Sequence, residues 1–189
     1  MANPDAAFGA VPIKHLDGSP YNGMVNEYYV PASDGTAMYL NDLVKHNGTA
    51  DVDGVPQAIQ ATAGATTLLG SIVGFRADPS NLSLQYRTAS TLRYYLVADA
   101  PDLVYKMQED SDSAALAAAD VGENCDIIVS AGSAVTGVSG MEIDSSTHVT
   151  TAANVRILRL LKDGANAIGN QAVWEVMINE HFYKTTSGV

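Results

Sequence analysis

The hydrophobic and polar positions of the chain predict short β-strands separated by turns. From residue 25 onward, runs of aromatic and β-branched residues alternate with clusters of Gly, Pro, Asn and Asp. The alternation is clearest in the last run, where Trp174, Val176 and Ile178 fall on one face. The predicted strands cover residues 27–30, 57–62, 67–75, 91–98, 103–108, 126–130, 155–161 and 172–181, and a further short apolar unit consists of residues 37–40 and 43–44, broken at 41–42. Strands at intervals of roughly ten residues are typical of an antiparallel sandwich or barrel.

The segments between the strands contain specific turn signals. Asn-Gly and Asp-Gly pairs predict a loop over residues 46–56, and residues 63–65 are expected to join two strands. Residues 99–102 predict a hairpin between the strands on either side. Gly70 and Gly74 lie inside a predicted strand, which indicates a bulge or the close approach of another backbone.

Residues 113–121 are rich in alanine and form the only stretch with strong helix propensity. Asp112 or Ser113 is a candidate N-cap, and Gly122 is a candidate end. A helix of this length is marginal on its own, so we expect at most one short helix in the chain.

Residues 1–23 differ from the rest because they contain three prolines and no sustained period of helix or strand. One interpretation is a mobile terminus. The other is an extended arm that orders on binding and docks its spaced apolar side chains on a neighbouring protein. Those candidate interface residues are Phe8, Val11, Ile13 and Tyr21.

The predicted fold class is therefore mainly β. We expect a compact antiparallel β-barrel or sandwich over residues 24–189, preceded by an extended N-terminal arm over residues 1–23.

The net charge of the chain argues against two classes of binding partner, nucleic acids and anionic membranes. The formal net charge is −11, from 21 acidic residues against 10 Lys and Arg. A nucleic-acid-binding protein needs a basic footprint, and an anionic membrane repels an acidic protein, so we expect neither partner. Residues 54–75 carry no charge and are long enough to cross a bilayer, but their Pro, Gln, Gly and Thr content argues against a membrane span.

The single cysteine, Cys125, excludes an intrachain disulfide and a paired-cysteine metal site. It precedes an apolar run at 127–129, which predicts a buried and inert thiol. The N-terminal residues have neither a basic nor an apolar region of a secretory signal, and we expect synthesis in a reducing cytoplasm.

The sequence matches no known catalytic, phosphate-binding or metal-binding motif, and each partial match departs from its motif at an identifiable residue. The glycine-containing loop 132–137 lacks the lysine of a phosphate loop, and residues 137–141 misplace the second glycine of a nucleophile elbow. Residues 110–112 begin like a calcium loop, but Ala115 stands at the obligatory glycine and Val121 at the closing acid. The four histidines show no metal-ligand spacing. We therefore expect that the chain is not an enzyme and that it has neither a cofactor nor a metal site.

Several segments resemble a β-rich family of tailed-phage virion proteins, described as head decoration, cement or minor structural proteins. The similarity extends over roughly residues 25–183 and departs from the family at 41–44, where Asn-Asp-Leu-Val replaces a common Gly-Asp-Pro-Val turn. The similar segments are 28–33, 36–44, 54–56, 69–75, 95–99, 104–110, 121–124, 141–146, 156–158 and 174–181.

This resemblance implies a capsid decoration protein. Such a protein, made in the host cytoplasm, lies on the outer surface of the capsid, binds the major capsid protein, stabilises the head and is often a homotrimer. The resemblance supplies no catalytic residues.

Two alternatives remain open from the sequence. The first is a tail, collar or baseplate component of the virion, which also needs a rigid β domain. The second is a barrel that binds a small ligand or a carbohydrate, with a site formed by Tyr86, Tyr94, Tyr95, Tyr105 and Trp174.

Overall fold

A computed structural model describes residues 3–64, 67–112, 114–186 and 188 of the chain. These residues form twelve strands in two main sheets and a short ribbon. The strands are β1 (Val11–His15), β2 (Asn26–Val30), β3 (Leu43–Ala50), β4 (Pro56–Gln60), β5 (Gly70–Phe75), β6 (Arg93–Ala98), β7 (Leu103–Gln108), β8 (Asn124–Cys125), β9 (Ile127–Ile128), β10 (Glu142–Ile143), β11 (Val155–Leu160) and β12 (Val173–Ile178). The mainly β fold class is confirmed.

Five of the strands close into a barrel in the order β2-β4-β3-β5-β6. All neighbours are antiparallel except β2 and β4, which meet in parallel at Tyr29 and Gln57. Apolar side chains from every barrel strand fill the interior. The buried interior residues are Tyr28, Val30, Met38, Val44, Ala58, Leu69, Ile72, Tyr95 and Val97.

The second sheet is antiparallel throughout and has the order β1-β7-β12-β11-β8. Its inner face carries Trp174, Val176 and Ile178, the alternation that the sequence predicts, and all three are buried. The core beneath this sheet also receives Ile127 and Ile143 from the β9–β10 ribbon.

The wall of the barrel separates two cores. Leu43 belongs to the core of the second sheet, whereas its neighbour Val44 belongs to the barrel interior. Val97 and Ala98 divide in the same way. Because successive residues of a strand point to opposite faces, a strand buried on both faces requires consecutive apolar residues. The barrel and the sheet are therefore joined through a shared wall.

The predictions for the two strand glycines are confirmed. A Cβ atom on Gly70 would lie 2.2 Å from the carbonyl oxygen of Ala98, so β5 and the end of β6 pack backbone against backbone. Gly74 lies at a register shift between β5 and β6 that follows Ile72.

Two local predictions are wrong. Residues 99–102 do not form a hairpin, because β6 belongs to the barrel and β7 to the second sheet. The loop predicted over residues 46–56 is shorter, since β3 continues to Ala50 and pairs with β4. Both errors arise because a turn signal gives the position of a turn but not the strand with which the chain pairs next.

The predicted helix is reduced to a 3₁₀ turn at Ala118–Asp120. Leu116 is buried, and its amide donates to the Glu109 carboxylate at 2.9 Å, so this backbone donor is satisfied outside a helix. Two further 3₁₀ turns occur at Ser145–Thr147 and Phe182–Lys184. Ser113, a predicted cap, and residue 65 of the predicted 63–65 connection lie outside the described residues. No helix in the described part of the chain has the length and apolar character needed to cross a bilayer.

The N-terminal region differs from the expected arm. Residues 11–15 form β1, an edge strand that pairs with β7, and Ala10 is completely buried in the core. The carbonyl of Ala10 accepts a hydrogen bond from the Ser71 hydroxyl at 2.5 Å, and its amide donates to Asn41 at 2.9 Å. The boundary expected at residues 23–24 therefore does not separate an independent arm from the folded domain. The sequence pattern does not predict β1, since Pro12 argues against a strand. Proline is nevertheless tolerated in an edge strand, because such a strand forms hydrogen bonds with a neighbour along only one edge.

Candidate functional site

The outer face of the second sheet is the most distinctive surface of the chain. Side chains directly opposite in an antiparallel sheet share a face, so register identifies the residues that face away from the core. One row across the sheet consists of Val11, Lys106, Glu175 and Arg159. The next row consists of Lys14, Val104, Met177, Arg156 and Asn124. We call these two rows the cationic face.

Glu175 is the one carboxylate in these two rows, and two cations approach it. Its Oε2 atom lies 2.6 Å from Lys14 Nζ and 3.2 Å from Arg159 Nε. The Glu175 side chain is only 9% exposed, whereas that of Arg159 is 62% exposed. One negative charge is therefore shared between two positive charges at the centre of the face.

The other two cations of the face are not neutralised. Within the described residues, neither Lys106 nor Arg156 has a carboxylate oxygen within ion-pair distance of 4.0 Å. Neutral amides orient Arg156: its Nε donates to Asn124 Oδ1 at 3.0 Å and its Nη2 to Asn179 Oδ1 at 2.8 Å. Lys106 Nζ lies 5.5 Å from the centre of the Phe8 ring. Positive charge therefore exceeds negative charge on this face, although the whole chain is strongly acidic.

Residues 3–8 lie along one end of the same face. The side-chain amide of Gln108 holds this segment as both acceptor and donor: its Oε1 accepts a hydrogen bond from the Ala6 amide at 3.0 Å, and its Nε2 donates to Pro4 O at 2.8 Å. Asn3 donates to the carbonyls of Ala167 and Asn170. A cleft of about 210 Å³ remains between this segment and residues 163–173. That volume is below the roughly 300–1,000 Å³ that is typical of small-molecule sites.

The four predicted interface residues occupy different surroundings. Phe8 and Val11 lie beside Lys106, whereas Tyr21 packs against the core of the second sheet and donates to Met24 O. Ile13 lies in β1, and all four side chains are half-buried against their own chain. The structure thus places two of the four at the cationic face and does not bring the four together.

Two clusters contain side chains that could hold a metal ion. Asp120, Glu123 and His148 place their ligand atoms within 4.8 Å of one another. The His148 Nδ1 atom lies 2.9 Å from Glu123 Oε2, and this hydrogen bond, together with the nearby Asp120, raises the pKa of His148. Sequence spacing could not reveal this cluster, because His148 comes from a separate loop.

The second cluster extends the apparent start of a calcium loop. Asp110 and Asp112 are joined by Asp144 within the same 4.8 Å limit. The hydroxyl of Ser145 lies 2.7 Å from Asp110 Oδ1 and 3.1 Å from Asp112 Oδ1. Asp112 also accepts from the Ala114 amide, and Asp144 accepts from the Ser146 amide, so loop hydrogen bonds already use part of their acceptor capacity.

The buried ionisable groups have structural partners. Burial raises the pKa of Asp42 to about 6, against the opposing hydrogen bonds from Ser139, the Tyr39 amide and Gln60. Burial likewise raises the pKa of Glu109 to about 7. It lowers the pKa of His181 to about 4, and His181 Nδ1 accepts from the Tyr183 amide. These groups link loops to the two cores, and each lies within the protein interior.

The predicted burial of Cys125 is confirmed. The residue has no exposed surface, and desolvation, followed by the repulsion of nearby acids, raises the pKa of the thiol to about 12. A thiol with this pKa is protonated at neutral pH and is a poor nucleophile.

The five aromatic residues of the ligand-binding alternative are not brought together. Tyr95 lies in the barrel interior, whereas Tyr105 and Trp174 lie in the other core. Tyr94 donates to Asp51 Oδ2 at 2.7 Å, and Tyr86 stacks on Tyr39 with ring centres 5.1 Å apart. Each ring thus packs or hydrogen-bonds within its own part of the fold.

Comparison with known proteins gives no further assignment: the chain matches no protein-family model, no curated protein and no solved structure.

Proposed function

We propose that the chain is a structural protein of a tailed-phage virion, a decoration protein that binds the outer surface of the assembled capsid. Its partner is the major capsid protein, and copies of the chain associate with one another, in the simplest case as a homotrimer. The proposal includes no catalytic step and no cofactor.

One observation carries this proposal. The segments that resemble decoration proteins overlap strands of both cores. Residues 69–75 and 95–99 overlap β5 and β6 of the barrel. Residues 104–110 and 174–181 overlap β7 and β12 of the second sheet. A resemblance restricted to one hairpin would reflect local composition, whereas this one includes strands of both the barrel and the second sheet.

The charge of the chain is consistent with an external position. A net charge of −11 repels packaged DNA and keeps finished particles apart. A protein that binds only the assembled lattice stabilises it by mass action, by about 2.7 kcal/mol at a free concentration one hundred times the dissociation constant.

The test is binding of the purified protein to emptied, expanded capsids. We expect co-sedimentation at micromolar protein and a capsid melting temperature that rises with protein concentration. An absence of binding at micromolar protein would contradict the proposal. Labelled protein imaged on particles distinguishes the head from the tail, collar or baseplate, since a label confined to the tail would favour the alternative virion role.

A further inference from the structure

We propose that the cationic face is the surface that docks on the capsid, and that the surface it meets is an acidic protein surface whose carboxylates pair with the four cations. This inference rests on the proposed function for the identity of the partner. It adds which face of this chain makes the contact and what chemistry the partner presents.

The first argument is the distribution of unpaired positive charge. Arg76, Arg87 and Arg93, in or near the barrel, each have a carboxylate within ion-pair distance, namely Glu27, Asp34 and Asp78. On the cationic face, Lys106 and Arg156 have none within the described residues, and Lys14 and Arg159 share one. Lys45, Lys162 and Lys184 also have no carboxylate at this distance among the described residues. What distinguishes the cationic face is that four of the ten Lys and Arg residues lie around a single carboxylate in a chain with 21 acids.

The second argument is the apolar centre between these charges. Val104 and Met177 are opposite each other in the register of β7 and β12, with Lys14 beyond Val104 and Arg156 beyond Met177. Val104 is only 1% exposed, so the half-buried Met177 provides the accessible apolar surface of this centre. An apolar centre surrounded by charged groups is the usual composition of a protein–protein interface. A methionine on the outer face of β12 fits this role, because its thioether adapts to irregular surfaces.

The area of the face predicts that a single contact is weak. The outer surface of the whole second sheet, with five strands about 4.8 Å apart that are at most about 20 Å long, covers no more than roughly 400 Å², and the two rows of the face cover only part of it. A standard interface buries about 800 Å² on each partner. One contact of this size is weak, so strong attachment requires several copies that bind a repeating lattice together.

An acidic protein fits this face better than a nucleic acid does. The cations form a compact group, and the rest of the chain carries the large excess of acids. A duplex presents phosphates along its whole length, which would extend past the face and meet those acids. A local group of carboxylates on a protein can contact the cationic face alone, without approaching the acidic remainder of the chain.

The experiment compares two double variants with the same change of charge. Lys106→Glu with Arg156→Glu reverses the two unpaired cations of the face. Lys45→Glu with Lys184→Glu is the control, because Lys45 lies in β3 of the barrel and Lys184 in the last 3₁₀ turn. Circular dichroism and melting temperature establish that both variants fold. Each is measured for binding to emptied, expanded capsids at about 0.05 and 0.5 M salt.

We expect the face variant to bind at least about tenfold more weakly at low salt, with a smaller difference at high salt, and the control to stay within about threefold of wild type. Equal binding by the face variant and wild type would overturn the inference and leave the proposed function intact.

A second measurement separates the inference from the proposed function. Poly-glutamate is added to isotope-labelled protein, and the amide resonances are followed by NMR. We expect shifts in β7, β11 and β12 that disappear in the face variant. If poly-glutamate binds there but capsids bind none of the proteins, the acidic-surface chemistry is supported and the capsid assignment is wrong. Shifts elsewhere, or preferential binding of duplex DNA at this face, would overturn the inference.

Discussion

The Arg87 guanidinium donates to the Asp34 carboxylate at 3.0 Å although Arg87 is completely buried. Its other donors reach backbone carbonyls of Pro31, Asp34, Thr36 and Thr91. Arginine has five N–H donors, and five hydrogen bonds are present. This residue therefore fixes the turn after β2 against the segment that leads into β6.

Replacement of Arg87 tests this role. Arg87→Ala leaves the buried carbonyls without donors and the Asp34 carboxylate without its cation. We expect a loss of about 3–5 kcal/mol in the free energy of unfolding, measured by urea denaturation. The matched control is Arg76→Ala, since Arg76 is 64% exposed and pairs with Glu27 at the surface. That variant should lose less than about 1 kcal/mol, and similar losses in the two would contradict the assigned role.

Gly70 and Gly74 provide a second matched pair. A Cβ at Gly70 meets backbone at 2.2 Å, whereas one at Gly74 has its nearest contact with Leu96 Cδ1 at 3.8 Å. Gly70→Ala should therefore lower the free energy of unfolding by at least about 2 kcal/mol, because backbone cannot move aside like a flexible side chain. Gly74→Ala should change it by less than about 1 kcal/mol. Equal effects in thermal unfolding would show that β5 and β6 are not packed as described.

The carboxyl of Glu109 predicts a pH dependence of stability. Its pKa is about 7 in the folded protein because burial disfavours the charge, against about 4.5 when unfolded. The contribution of this carboxyl to the free energy of unfolding is therefore fully present below about pH 4.5 and is lost as the pH rises through about 7. Glu109→Gln stays neutral and avoids this loss.

Urea denaturation from pH 4.5 to 8 measures the effect. The stability of Glu109→Gln minus that of wild type should increase across this range, whatever constant offset the amide introduces. Glu27→Gln, at a partly exposed carboxylate paired with Arg76, serves as the control for removal of a negative charge. A constant difference between Glu109→Gln and wild type would show that Glu109 ionises normally.

Two N-terminal truncations distinguish a free arm from an integral strand. Removal of residues 1–8 takes away the contacts with Gln108 and Lys106 but keeps Ala10 and β1. Removal of residues 1–23 also deletes β1 and exposes the edge of β7. We expect the longer truncation to lower the melting temperature by more than about 5 °C and to promote aggregation, and the shorter one to remain soluble and folded. An unchanged melting temperature after the longer truncation would restore the separate-arm interpretation.

The sequence predicts the parts of this fold that depend on local pattern. Alternation in the last strand locates Trp174, Val176 and Ile178 in a core, and the glycines of β5 indicate a bulge and a close backbone contact. The pattern does not show which strands become neighbours, because a strand period defines a face and not a partner. The hairpin expected at residues 99–102 fails for this reason.

The sequence does not predict the cationic face, for the same reason. Lys14, Lys106 and Glu175 are distant along the chain and isolated among uncharged residues. Only the register of three strands, β1, β7 and β12, places them in adjacent rows. Composition indicates an acidic protein, and the local excess of positive charge becomes evident only after the strands are paired.

Residues 180–183, which follow β12, pack against the barrel. The Leu68 amide donates to Glu180 O at 2.8 Å, and Phe182 packs on the barrel core and stacks on His46. The ribosome therefore releases all five barrel strands, residues 26–98, long before it synthesises the segment that packs against them. Contacts so distant in sequence carry a large loop-closure entropy and slow folding. We expect the packing of the nascent barrel to remain incomplete until the second sheet has assembled, so that the two cores acquire their final rigidity in a single late step.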